Sequence, residues 1–115
     1  MFIGDNVAIG ANCVIVRGIL ETTRIGNHCQ IGNLVNVGHN CTVGDNCWIS
    51  TGAALCGSVA IGERAMIGAG AKINNHVTVG NGATVGIGSV VTKSVPNDGR
   101  VFGVPAKLLA TMRPL

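Results

Sequence analysis

A six-residue aliphatic repeat constrains this chain more than any other feature. Counting by six from Ile25 reaches Ile31, Val37, Val43, Ile49, Leu55, Ile61, Ile67, Ile73, Val79, Val85 and Val91, and every position is aliphatic. Ile3, Ile9 and Ile15 add three hexads before the frame slips. Ile25 comes ten positions after Ile15, which places a loop insertion near residues 19–24. A helix would need apolar spacing of about 3.6, so a period of six excludes it. Internal repetition of this kind is the mark of a solenoid.

The other hexad positions have their own character. The second is Gly in ten of fifteen hexads, and the fourth is Asn or Gly in nine. Asn and Gly best tolerate a positive φ, so the fourth position is a corner. The fifth is small or β-branched, as at Cys29, Val35, Ala53, Ala65 and Val77. First and fifth positions therefore face a core, with the corner between them. Each hexad is a short strand plus a turn, and stacked hexads make an all-β solenoid in which each coil is buried by its neighbours.

Composition sets the outer bounds. At 115 residues the chain suits one modest domain. Hydrophobic residues make up 47% and charged residues 11%, which excludes a disordered chain. No apolar run is long enough to span a membrane. Net charge is only +3 and aromatics are 3%, a poor basis for binding nucleic acid. The low charge suggests that a partner covers part of the surface. Five Cys are present without a C-x-x-C motif. Cys13, Cys29, Cys41 and Cys47 occupy the small fifth position, and Cys56 a second position. The thiols read as core packing in a reducing cytoplasm.

The pattern resembles the left-handed parallel β-helix of the hexapeptide-repeat acyltransferases over about residues 3–110. That resemblance implies three hexads per triangular coil, so that equivalent positions recur at every third hexad, and about five coils. It supplies the left hand, which spacing does not. Two units are expected: a β-helix over residues 1–96, and a C-terminal loop with a short capping helix over 97–115. The helix is placed at 105–112, begun by Pro105.

The stretch Asn33-Leu34-Val35-Asn36-Val37-Gly38-His39-Asn40-Cys41 resembles the segment that carries the catalytic His in two branches of the family. One holds the lipid A pathway UDP-acylglucosamine N-acyltransferase. The other holds sialic-acid and bacillosamine-type sugar acetyltransferases. The resemblance implies that His39 is a general base on the acceptor amine or hydroxyl, a task suited to imidazole. Gly57 lies three hexads further on, at the same corner one coil away. The resemblance gives its N–H to the thioester carbonyl oxygen; the alternative is an ordinary turn glycine. His76 matches a donor-side His of the lipid A branch. Asn40 stands where the acetyl-CoA branch often has a carboxylate. It is either a partner of the His39 ring or only a favoured corner residue, and Asp45 is a second choice of partner. His28 reads as a solvated turn residue.

The segments Val90–Pro96 and Phe102–Lys107 resemble the closing signature of acetyl-CoA-using members, which lines the pantetheine and phosphate end of the donor. The donor site implied comprises Gly57, His76, Gly86, Gly88, Lys93, Pro105 and Lys107. Beyond Thr92, the cations Lys93, Arg100, Lys107 and Arg113 stand against one acid, Asp98, a balance suited to CoA phosphates. The expected protein is a homotrimer with sites between subunits, moving acetyl from acetyl-CoA to a sugar expected to be nucleotide-linked. Alternatives are an N-acyltransferase using acyl carrier protein and a non-catalytic scaffold. Both branches carry a domain before the solenoid, whereas the repeat here begins at Ile3, so either the acceptor differs or the chain is a truncation. No metal is expected: zinc enzymes of this fold need two His five residues apart, and no such pair exists. No ladder of T-x-T suggests an ice-binding face.

Overall fold

The computed structural model describes residues 1–111. Two-residue strands alternate with tight turns. The first coil holds β1 (Phe2–Ile3), β2 (Ala8–Ile9) and β3 (Val14–Ile15). The second holds β4 (Arg24–Ile25), β5 (Gln30–Ile31) and β6 (Asn36–Val37), and the third β7 (Thr42–Val43), β8 (Trp48–Ile49) and β9 (Ala54–Leu55). The fourth holds β10 (Ala60–Ile61), β11 (Met66–Ile67) and β12 (Lys72–Ile73). The fifth holds β13 (Thr78–Val79), β14 (Thr84–Val85) and β15 (Val90–Val91). Every third strand pairs in parallel, which builds three sheets along one axis.

The stack does not stop at five coils. Val95 bridges Val79 in parallel, and β16 (Gly99–Gly103) adds to β14, making about six turns. β17 (Ala106–Thr111) then returns antiparallel on β16. The five-coil expectation is thus corrected. So is the capping helix: residues 106–111 of the expected 105–112 form a strand, and Met112 lies outside the described residues. Pro105 begins no helix and sits in the hairpin turn instead. The physical reason is the free edge of β16, whose unpaired backbone groups are satisfied by β17. Sheet pairing outweighs the helix propensity of Ala-Lys-Leu-Leu.

Strand register records two frame slips. Ile3 faces Ile25, four positions later in the chain than an unbroken frame would bring, so the insertion precedes the second coil. Later coils repeat every three hexads, as in Val43 opposite Ile61. At the end Val85 faces Val101, two positions early. The last coil is shortened to that extent, and Val95, expected on the fifth-position wall, lies opposite the first-position Val79. Corners follow the fourth position: Asn6, Asn12, His28, Leu34, Asn40, Asn46, Ser58, Arg64 and His76 all have φ near +60°. Gly18 and Ser94 are the exceptions, and each stands at a frame slip.

First- and fifth-position side chains form the core. Ile25, Val37, Ile49, Leu55, Ile67 and Ile73 are almost wholly buried, each contributing about 1.5–3 kcal/mol of hydrophobic stabilisation. Ile3 and Ile9 in the first coil remain 42% and 39% exposed, because a coil is fully covered only with a neighbour on both sides. All five cysteines are free thiols. Burial pushes Cys29 and Cys41 upward and Cys47 up to about 11. Cys29, Cys41 and Cys47 each donate to a carbonyl of the next coil: Gly44, Cys56 and Gly62. These are neutral packing groups, not nucleophiles.

Candidate functional site

The corner that follows β6, β9, β12 and β15 gathers most of the predicted residues. Its third positions are His39, Gly57, Asn75 and Lys93; its fourth positions are Asn40, Ser58, His76 and Ser94. They stack because three hexads make one coil here and each parallel pair rises about 4.8 Å. The His39 imidazole lies against the Gly57 α-carbon. A Cβ built on Gly57 would fall 3.0 Å from Cδ2 of the ring and closer still to Cε1 and Nε2. Only a residue without a side chain admits the ring there. Gly57 is buried beneath it, whereas His39 and Asn40 are partly exposed.

The Gly57 N–H makes no hydrogen bond among the described residues. At five other hexads an Asn or Asp of the next coil covers the third-position N–H: Asn27 covers Asp5, Asn33 covers Ala11, Asp45 covers Asn27, Asn81 covers Glu63 and Asn97 covers Asn81; Gly57, like the remaining third positions, has no such cap among the described residues. Gly57 therefore keeps a donor beside the imidazole. His76 follows one coil on, exposed, with its N–H on the Gly57 carbonyl at 3.2 Å.

Asn40 is far more than a turn residue. Its Oδ1 lies 3.3 Å from Nδ1 of His39 and accepts the Ile19 N–H at 2.7 Å. Its Nδ2 donates to the Ile19 carbonyl at 3.0 Å. Its own N–H donates to Thr23 Oγ1 at 2.9 Å, and that buried hydroxyl donates to the Val16 carbonyl at 2.7 Å. The inserted loop is thus tied to the corner beside His39. The sequence reading missed Ile19 and Thr23; the signal was the frame slip before Ile25, which had to sit somewhere on this edge. Asp45 is not at this corner. It belongs to the one after β7, where it caps Asn27.

Beyond His76 the edge reaches a cleft of about 390 Å³, lined among others by Thr92, Lys93, Ser94, Pro105, Lys107 and Leu108. Lys93, Pro105 and Lys107 converge here. Lys93 stands three coils from His39, roughly 14 Å along the axis. Gly86 and Gly88 do not join them. They flank a different corner, after β14: Gly86 lies under the Phe102 ring, and Gly88 faces open space. Arg100 is exposed on β16, and Arg113 lies outside the described residues. Among the described residues no three His, Cys, Asp or Glu could hold a metal, and no helix is long and apolar enough to cross a membrane.

Comparison with known proteins agrees with this fold. The family model described as bacterial transferase hexapeptide (six repeats) matches residues 22–57 and 40–75. That for the hexapeptide repeat of succinyl-transferase matches residues 2–33 and 58–93. No curated protein matches the chain. Among solved structures, a histidine mutant of perosamine N-acetyltransferase from Caulobacter crescentus, in complex with CoA and GDP-perosamine, is 30% identical. The match covers 94% of this chain and 53% of that one, with a TM-score of 0.81. The acetyltransferase domain of PglB from Neisseria gonorrhoeae is 30% identical over 94% of this chain and 54% of that one, TM-score 0.71. The UDP-N-acetylglucosamine acyltransferase of Arabidopsis is 28% identical over 96% of this chain and 40% of that one, TM-score 0.93. The chain spans about half the length, or less, of these structures. Repeat, coil and matched models agree: the chain belongs to the hexapeptide-repeat acyltransferases.

Proposed function

We propose that this protein transfers an acetyl group from acetyl-CoA to an amine or hydroxyl of a sugar, with a nucleotide-linked sugar as the acceptor class. The observation that carries the reading is the His39 imidazole seated on Gly57, on the edge that leads to the Lys93–Lys107 cleft. The acceptor nitrogen or oxygen attacks the thioester carbonyl carbon while His39 takes its proton. The developing oxyanion meets the free N–H of Gly57. The C–S bond then breaks, His39 returns the proton to sulfur, and acetylated sugar and CoA leave. Lys93 and Lys107 suit the donor phosphates, and His76 lies between them and the reacting centre.

The coil winds to the left, and the molecule works as a cytoplasmic homotrimer with sites between subunits. Trp48 and Met66 support such assembly. They are neighbours on the outer face of β8 and β11, each about half exposed, where a lone protomer would leave them in water. The likeness to a relative solved with CoA and GDP-perosamine favours CoA and a nucleotide-sugar. The test is a screen of nucleotide-sugars with acetyl-CoA, and with an acyl carrier protein thioester as a second arm, scored by thiol release. Acetyl-CoA turnover that His39→Ala abolishes, with the assembly intact by gel filtration, is the expected result. Turnover retained in His39→Ala, or none with any acceptor and either donor, would overturn the reading.

A further inference from the structure

We propose that Asn40 and the inserted loop fix the tautomer of His39, holding its proton on Nδ1 and leaving Nε2 as the basic nitrogen; this rests on His39 being the base. The inference begins with the orientation of the Asn40 amide. Oδ1 receives the Ile19 N–H at 2.7 Å and Nδ2 donates to the Ile19 carbonyl at 3.0 Å. Reversing the amide would set donor against donor and acceptor against acceptor, so a single backbone residue locks it. The locked amide turns an oxygen, which only accepts, toward Nδ1 at 3.3 Å. A neutral ring satisfies that contact only with its proton on Nδ1. The lone pair then sits on Nε2, on the ring edge that faces the Gly57 α-carbon.

The tip of the loop is held mainly through Asn40. Leu20 at its tip is fully exposed with φ +68°, and Ile19 is mostly exposed, so the tip has almost no packing of its own. Three of its polar ties run to Asn40: two from Ile19 to the side chain and one from Thr23 to the N–H. A carboxylate next to the imidazole would also hold Nδ1–H but would raise ring basicity. The amide sets the tautomer without adding charge beside the ring. Asn40 is accordingly a positioning residue.

The experiment reads the imidazole directly. Long-range ¹H–¹⁵N correlation of the purified protein, with ring-¹⁵N histidine, assigns the neutral tautomer of each His, with exposed His28 and His76 as internal references. Wild type should show His39 as Nδ1–H. Asn40→Gly, which suits the positive φ of +60°, should lose that form. Asn40→Asp, which keeps an acceptor oxygen, should restore it. In turnover, Asn40→Gly should lower kcat about tenfold, part of the ~10²–10⁴-fold that a positioned base contributes, with the KM for acetyl-CoA unchanged. His39 found as Nε2–H in wild type, the same tautomer in Asn40→Gly, or an unchanged kcat in that variant would overturn the proposal. The tautomer is read without turnover, so this failure is distinct from that of the base assignment, which His39→Ala decides.

Discussion

Replacing Gly57 by Ala separates catalysis from folding in this molecule. The φ of Gly57 lies outside the left-handed region, so the backbone accepts an L-residue there. The obstacle is the ring. The new Cβ would lie 3.0 Å from Cδ2 of His39, and closer to Cε1 and Nε2, where carbon contacts prefer about 3.5–4.0 Å. The methyl is fixed to the backbone, so the partly exposed imidazole must withdraw by about 1 Å to restore those contacts. A displacement of that size at a reacting group costs about 100-fold, or about 2.7 kcal/mol of transition-state stabilisation. The ring can swing toward solvent, so folding should lose no more than about 1 kcal/mol. For a chain of this size that is a fall of at most about 4 °C in Tm. The assay is initial-rate thiol release from acetyl-CoA with the best acceptor, beside a thermal melt. Half or more of the wild-type kcat/KM in Gly57→Ala would refute the juxtaposition on which the site is built.

Two further outcomes follow from the same structure. Lys93→Ala and Lys107→Ala should each raise the KM for acetyl-CoA about fivefold, the worth of a solvent-exposed charge contact of about 1 kcal/mol, with kcat little changed and the effect smaller at high salt. An unaltered KM in both would remove the cleft from the donor site. Burial raises Cys47 to about 11 and also raises Cys29 and Cys41 above the ordinary 9.0. The unfolded thiols ionise first. The stabilisation is therefore complete below about pH 9 and is lost as the pH climbs toward 11. Urea midpoints should fall over that window, and less steeply in Cys47→Ala; equal slopes would contradict the assignment.

The hexad by itself determined the class of fold, the core and the placement of the corners. Its period fixes which side chains face inward, and residues such as Asn40 and Asn46 carry the positive φ that their type allows. The resemblance supplied the three-hexad offset, which placed His39, Gly57 and His76 on one edge; that Lys93 shares it is a finding of the structure. What the tertiary structure decided lies where the repeat breaks. The destination of the insertion before Ile25, and hence the link from Ile19 through Asn40 to His39, depends on contacts between segments distant in the chain that no periodicity encodes. The segment after Pro105 reads as a helix locally, yet pairs as β17 because β16 offers it an open edge. Gly86 and Gly88 follow β14, on a corner that the six-residue register already separates from that of His39. The shortening of the last coil decides only that Phe102 covers Gly86, a contact no periodicity encodes. Local periodicity is written in the chain because each coil repeats the same short-range physics; a junction is settled only when unlike segments meet in space.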